Sequence, residues 1–251
     1  MGVPINILSI EKNKLVKLLD GAISYILIIS TISMAWILFR ILNRTKIHGF
    51  KNIPYKKNLL LLPNHLTMID SFLVGTSAFY PTVIIKPWLI PWSPAAEENF
   101  FNNPFLAWLS AKWKAIPVKR GRKDLEVLNR MIEILPKGTM INFPEGTRSR
   151  TGKLGNGRPG VGKLIYDARP TVIPVRIYGI DKVLPIGSYF PRILKKITVI
   201  FGKPIDFSSL YSLPDEKETW LSISKKVMDS IAELKPEDGQ REFSVLSADR
   251  G

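Results

Sequence analysis

The chain has 251 residues and no cysteine, which excludes disulfide staples, thiolate metal sites and cysteine nucleophiles. Its 36 lysines and arginines against 21 acidic residues leave a formal charge of +15, a field that attracts nucleic acid, an anionic bilayer or a phosphorylated ligand. The 45% apolar content and mean hydropathy of +0.07 are high for a basic soluble protein and turn that choice towards a membrane.

Residues 1–21 carry Ile5, Ile7, Leu8, Ile10, Leu15, Val16, Leu18 and Leu19 with Lys12, Lys14 and Lys17 among them. The later part reads as a basic amphipathic helix of the kind that lies in a bilayer surface. Ala22–Phe39 follows, 18 residues without a charge. A spanning helix takes about 17–25 apolar residues, so the segment is long enough to span. It is equally suited to a hairpin with the preceding helix, dipping into one leaflet. Arg40, Arg44, Lys46, Lys51, Lys56 and Lys57 flank it on the C-terminal side. The positive-inside bias then places the remainder of the chain on the cytoplasmic side.

From residue 45 short apolar runs alternate with helical stretches. The runs 58–63, 82–86, 114–120, 139–144, 172–178 and 197–201 are rich in Leu, Ile and Val, as expected of strands covered on both faces. The stretches 68–78, 103–112, 125–135, 160–168 and 216–234 read as helices. This order predicts an α/β fold: a mixed, mostly parallel sheet flanked by helices, behind an N-terminal membrane-associated helical segment. Residues 235–251 read as a polar, mobile tail with few anchors.

Only two histidines are present, His48 and His65, so histidine chemistry rests on one of them. His65 follows the apolar run Leu59–Leu62, at a strand end where α/β folds place catalysts. Asp70 stands five residues on. On one regular helix the two side chains would point about 140° apart. They meet if His65 lies in the loop and Asp70 in the first helical turn, with Thr67 as the N-cap. The same spacing suits a plain capping box, in which Asp70 closes the cap and His65 is an ordinary loop residue.

After the run 139–142 comes Phe143-Pro144-Glu145-Gly146-Thr147-Arg148-Ser149. Its glycine and hydroxyl residues can turn backbone N–H groups towards an anion, and Arg148 offers a fork that matches phosphate. The following basic stretch rich in glycine reads mostly as a solvated loop. Trp88, Trp92, Trp108 and Trp113 cluster with Phe100, Phe101 and Phe105. They suit a membrane boundary, an acyl-chain channel or ordinary core packing.

Asn64-His65-x4-Asp70, followed about eighty residues later by Phe143–Ser149, resembles the glycerolipid acyltransferases, and most closely the 1-acylglycerol-3-phosphate acyltransferases. Ala115–Arg120 and Val172–Val175 resemble two further blocks of that family, in order, although Ala115 and Pro117 depart from the usual form. The resemblance covers roughly residues 45–205. It implies an acyltransferase domain over 45–234, behind membrane-anchoring helices over 1–44. It implies transfer of an acyl group from an acyl thioester, carried by coenzyme A or an acyl carrier protein, to the hydroxyl of lysophosphatidic acid at a membrane surface. His65 would act as base and Asp70 would orient it. Glu145, Gly146, Thr147 and Arg148 would hold the acceptor, and Arg120 and Lys86 would bind its phosphate. No metal or other cofactor is implied.

Three rival readings stand beside it: the same chemistry on glycerol 3-phosphate or another lysophospholipid, thioester hydrolysis, and a non-catalytic membrane-anchored binder of anionic lipid or nucleic acid. The sequence contains no recognised nucleic-acid module, so nucleic acid is not an expected partner.

Overall fold

The structure, a computed structural model, describes residues 7–101, 103–119, 125–188 and 190–236. Seven strands form its frame: β1 (Lys46–His48), β2 (Leu59–Pro63), β3 (Ser93–Ala96), β4 (Ala115–Val118), β5 (Thr139–Ile141), β6 (Thr171–Tyr178) and β7 (Thr198–Phe201). The helices are α1 (Ile7–Trp36), α2 (Asp70–Phe79), α3 (Glu97–Phe100), α4 (Pro104–Lys112), α5 (Leu125–Ile134), α6 (Pro159–Ala168), α7 (Ile180–Val183) and α8 (Lys217–Glu233).

Five strands make one sheet in the order β1-β7-β6-β2-β5. Every pairing in it is parallel except β6 with β7. β2 is an interior strand between β6 and β5, and Leu59, Leu60, Leu61 and Leu62 are all fully buried. Side chains alternate across a strand, so Leu59 and Leu61 enter one core with α2 and part of α1, while Leu60 and Leu62 enter a second with α5, α6 and α8. Full burial of each leucine contributes roughly 1.5–3 kcal/mol. The expected mixed, mostly parallel sheet flanked by helices is therefore what the chain forms.

β3 and β4 form a separate parallel pair. Trp92 joins that pair to β5. Its N–H donates to Thr139 O and its carbonyl accepts from Ile141 N–H, both at 2.9 Å. The small sheet thereby becomes a wall standing off the end of β5.

The structure corrects three local readings. The run 82–86 is not a strand: two 3₁₀ turns, Thr82–Ile84 and Pro87–Leu89, replace it. Only Val83 and Leu89 are buried there, while Ile84 and Ile85 are exposed. β-branched residues alone do not make a strand where no sheet edge is offered. β1 and β3 were not foreseen. β1 is only three residues long, and β3 carries proline and two alanines in place of a Leu/Ile/Val run. Of the two arrangements open to the N-terminal segment, the described residues form one helix and not a hairpin. α1 runs without a break past Asp20 and Gly21 and continues as a π-helix, Ile37–Leu42. Its Val16–Leu42 portion has the length and apolarity to cross a bilayer.

α1 also packs on the domain. Ile28 and Phe39 are buried, Tyr25 Oη donates to Ile84 O at 2.7 Å, Trp36 stacks on Tyr80, and Asp20 pairs with Lys112. Of the tail read as mobile, 237–251 lie outside the described residues.

Candidate active site

β2, β5 and β6 run in the same direction, so their C-terminal ends share one edge of the sheet. Three connections leave from that edge, and the Asn64–Asp70 and Phe143–Ser149 segments are two of them. Asn64 ends the β2 ladder. Its side-chain amide donates to Ile177 O at 3.1 Å and accepts from Ile177 N–H at 2.7 Å, which satisfies β6 in place of a further strand residue. Freed from the sheet, the chain turns at His65.

The His65 backbone is gripped from the other segment. Its N–H donates to Glu145 Oε1 at 2.9 Å, and its carbonyl accepts from Ser149 N–H at 2.8 Å. Its ring stacks on Phe143, with centroids 3.8 Å apart and planes at 19°.

Asp70 opens α2 and is fully buried. Four donors converge on its carboxylate. Leu66 N–H and Thr67 N–H reach Oδ2 at 2.6 and 2.9 Å, the Thr67 hydroxyl reaches Oδ1 at 2.6 Å, and His65 Nδ1 lies 2.9 Å from Oδ2. Thr67 is not the N-cap: α2 is entered through Ile69 with no side-chain cap bond, and the Thr67 N–H and hydroxyl are instead spent on Asp70. A carboxylate beside Nδ1 accepts its proton, which leaves the lone pair on Nε2. The His65 side chain is 19% exposed, enough for that nitrogen to meet a ligand.

His65 and Phe143 line a cavity of about 250 Å³. Met68, Phe72, Pro94, Ala95, Trp113 and Met131 supply most of its apolar wall, while Gly146, Thr147 and Arg148 lie along it with His65. Phe100 and Trp113 of the aromatic cluster face this cavity, and Trp92 joins the sheets. Trp88, Phe105 and Trp108 are exposed.

Glu145 is buried, and its second carboxylate oxygen accepts from Gly155 N–H at 2.9 Å. A Cβ on Gly155 would stand 3.0 Å from that oxygen, so glycine there permits the approach. Gly146 adopts φ +68°, in the left-handed region open to glycine. Lys86 precedes the second 3₁₀ turn and is not among the residues lining the cavity. Arg120 lies outside the described residues. Next to the cavity, burial pushes the Lys114 ammonium below its ordinary value of 10.5, and Nζ donates to Ile90 O at 3.2 Å.

Reading by residue missed the part played by Asn64. Its asparagine at a strand end was visible, but its partner is 113 positions away. The small-residue wall of β3 carried no signal of its own. Among the described residues no group of three or more His, Asp or Glu side chains is placed to hold a metal ion.

The family model described as "Acyltransferase" matches residues 44–178. A chloroplastic 1-acyl-sn-glycerol-3-phosphate acyltransferase of Brassica napus is 26% identical over 190 residues, covering 74% of this chain and 52% of that protein. The 1-acyl-sn-glycerol-3-phosphate acyltransferase of Pseudomonas aeruginosa is 28% identical over 218 residues, covering 81% and 76%. The match thus spans about half the length of the Brassica protein. The crystal structure of the 1-acyl-sn-glycerophosphate acyltransferase PlsC from Thermotoga maritima superposes with a TM-score of 0.55, at 23% identity, over 77% of this chain and 74% of that one. That likeness concerns the fold.

Proposed function

This chain belongs to the acyltransferase family, and on that premise we propose that it moves a fatty acyl group from an acyl thioester to the 2-hydroxyl of 1-acylglycerol 3-phosphate, giving phosphatidic acid. The observation that carries the proposal is the His65–Asp70 contact of 2.9 Å, with His65 lining a largely apolar cavity. His65 Nε2 takes the proton of the acceptor hydroxyl as that oxygen attacks the thioester carbonyl. Asp70 holds the imidazole in the needed tautomer and stabilises the imidazolium. The tetrahedral intermediate then collapses, the C–S bond breaks, and the departing thiolate recovers the proton from His65. No acyl-enzyme is needed.

The apolar wall matches an acyl chain in chemistry. Arg148, beside His65 along the cavity, is suited to the acceptor phosphate, and Arg120 and Lys86 are proposed as further phosphate contacts. Gly146 and Thr147 shape the acceptor side. The buried Glu145 acts here through His65, holding its backbone N–H, and so is a positioning residue.

The named relatives also include a human mitochondrial glycerol-3-phosphate acyltransferase, 31% identical over 172 residues but spanning 19% of that protein. Acceptor choice is therefore the point to test. The purified chain is incubated with coenzyme A and carrier-protein thioesters against lysophosphatidate, glycerol 3-phosphate and other lysophospholipids, and products are read by mass. Phosphatidic acid as the main product supports the proposal. Preferred acylation of glycerol 3-phosphate, thioester loss without transfer, or undiminished transfer by His65→Ala would each overturn it.

A further inference from the structure

The connection from α7 to β7 carries four exposed apolar residues: Ile186 and Leu194 at 60% and 74%, Phe190 at 86% and Ile193 at 49%. Exposed Arg192 and Lys196 stand among them. Scattered apolar residues on a surface need no explanation, but this group is held in place by the fold.

Asn43, fully buried at the end of α1, donates from Nδ2 to Arg192 O at 3.2 Å, and its Oδ1 accepts from Lys195 N–H at 2.9 Å. Leu194 N–H donates to Leu42 O at 3.0 Å. Between these bonds Leu194 sits at φ +61°. A bulky residue in that region is strained, and the surrounding bonds hold it there with its side chain in solvent. Strain kept on an exposed leucine gains nothing in water and marks a position with a use elsewhere.

The topology says where this group lies. β7 runs antiparallel to β6, and β1 runs parallel to β7, with Lys46 opposite Thr198 and Tyr178 opposite Thr198. The residues just before β1 and β7 are therefore at the edge where β2, β5 and β6 end, the edge that carries His65. In strand order β7 is two positions from β2, about 10 Å at the usual interstrand spacing. Exposed Ile41 and Leu42 of the apolar segment adjoin it, as does exposed Arg44.

We propose that Phe190, Ile193 and Leu194 form a second attachment to the membrane. They insert into the interface of an anionic bilayer beside the end of α1 and hold the His65 edge of the sheet against the surface. Apolar side chains entering the headgroup boundary with arginine and lysine around them have the chemistry of an interfacial anchor. Continuity with the apolar end of α1 favours lipid over a protein partner. The proposal rests on the membrane reading of α1 and is independent of which acceptor is acylated.

The absence of cysteine makes the test direct. Single cysteines replace Phe190, Leu194, Ile26 on the exposed side of α1, or Leu221 on α8, in the full chain. Each carries a polarity-sensitive fluorophore in phosphatidylcholine–phosphatidylglycerol vesicles with brominated acyl chains. Loss of fluorescence is expected at 26, 190 and 194 and not at 221. Loss at 26 alone overturns the second attachment and leaves the α1 anchor standing, whereas loss at none overturns both. Protection of 190 and 194 from aqueous iodide without quenching by brominated lipid would mean burial against a second copy, and would also overturn the proposal. Adding Arg192→Glu and Lys196→Glu should weaken the loss at 194 in anionic vesicles but not in phosphatidylcholine alone. An unchanged loss in both would remove the anionic lipid from the proposal.

Discussion

At Asp70 one carboxylate serves four donors, two of them backbone N–H groups of the loop that carries His65. The proposed catalytic geometry and the local fold therefore hang on the same two oxygens. Asp70→Asn replaces an acceptor oxygen by a donor and sets N–H against N–H. It should lower turnover about 10²-fold or more while changing the KM for lysophosphatidate less, as steady-state kinetics would read. An unchanged turnover would mean that Asp70 only holds the loop. Lys114 carries a different expectation. Burial lowers its folded value below 10.5, so between that depressed value and 10.5 the unfolded chain binds more protons. Stability from this residue rises as pH increases through that window and is lowest beneath it. Lys114→Met should accordingly raise the melting midpoint at neutral pH. The gain should shrink as pH rises through that window towards 10.5, and a gain that did not shrink would assign it to packing alone.

At the scale of elements, α6 and α8 approach so closely that a Cβ on Gly162 would fall 1.9 Å from the backbone oxygen of Trp220. Backbone cannot move aside as a side chain can. Gly162→Ala is therefore expected to force the helices apart and lower stability by about 3 kcal/mol, at the upper end of overpacking, seen as a lower denaturation midpoint in urea. Gly160, two residues earlier, has open space around its Cβ site. Gly160→Ala is the matched control, in which midpoint loss should be absent. Alanine favours a helix over glycine, so equal losses at both would mean that the close approach is not the cause.

For the whole molecule, α1 and the π-helix that continues it have a buried face and an exposed one. Ile28 and Phe39 are buried in the core shared with α2, whereas Ile23, Ile26 and Met34 are exposed at 45%, 62% and 67%. Removing residues 1–40 would uncover that core, so the shortened chain should melt at a lower temperature than the full one. The cleaner separation of anchor from fold is Ile23→Gln with Ile26→Gln and Met34→Gln. This variant should move the chain from the membrane pellet towards the supernatant with its melting midpoint in detergent unchanged. Retention in the pellet at high salt would assign membrane attachment to another surface.

What the sequence by itself determined is short in range. The leucine run of β2, the loop-then-helix placement of His65 and Asp70, and the glycine turn at Gly146 all follow from neighbours within a few residues. Periodicity, cap chemistry and φ preference act over that distance. Tertiary structure decided the rest. It carried the Glu145 carboxylate to the His65 N–H across 80 positions, and the Asn64 amide to Ile177 across 113. It left the apolar run 82–86 in and beside 3₁₀ turns, outside both sheets. It also turned β7 against β6, which brought the end of α1 and the Phe190–Leu194 group to the edge holding His65. Hydrogen bonds and burial between distant segments have no signature in local sequence, because either partner alone would be satisfied by water.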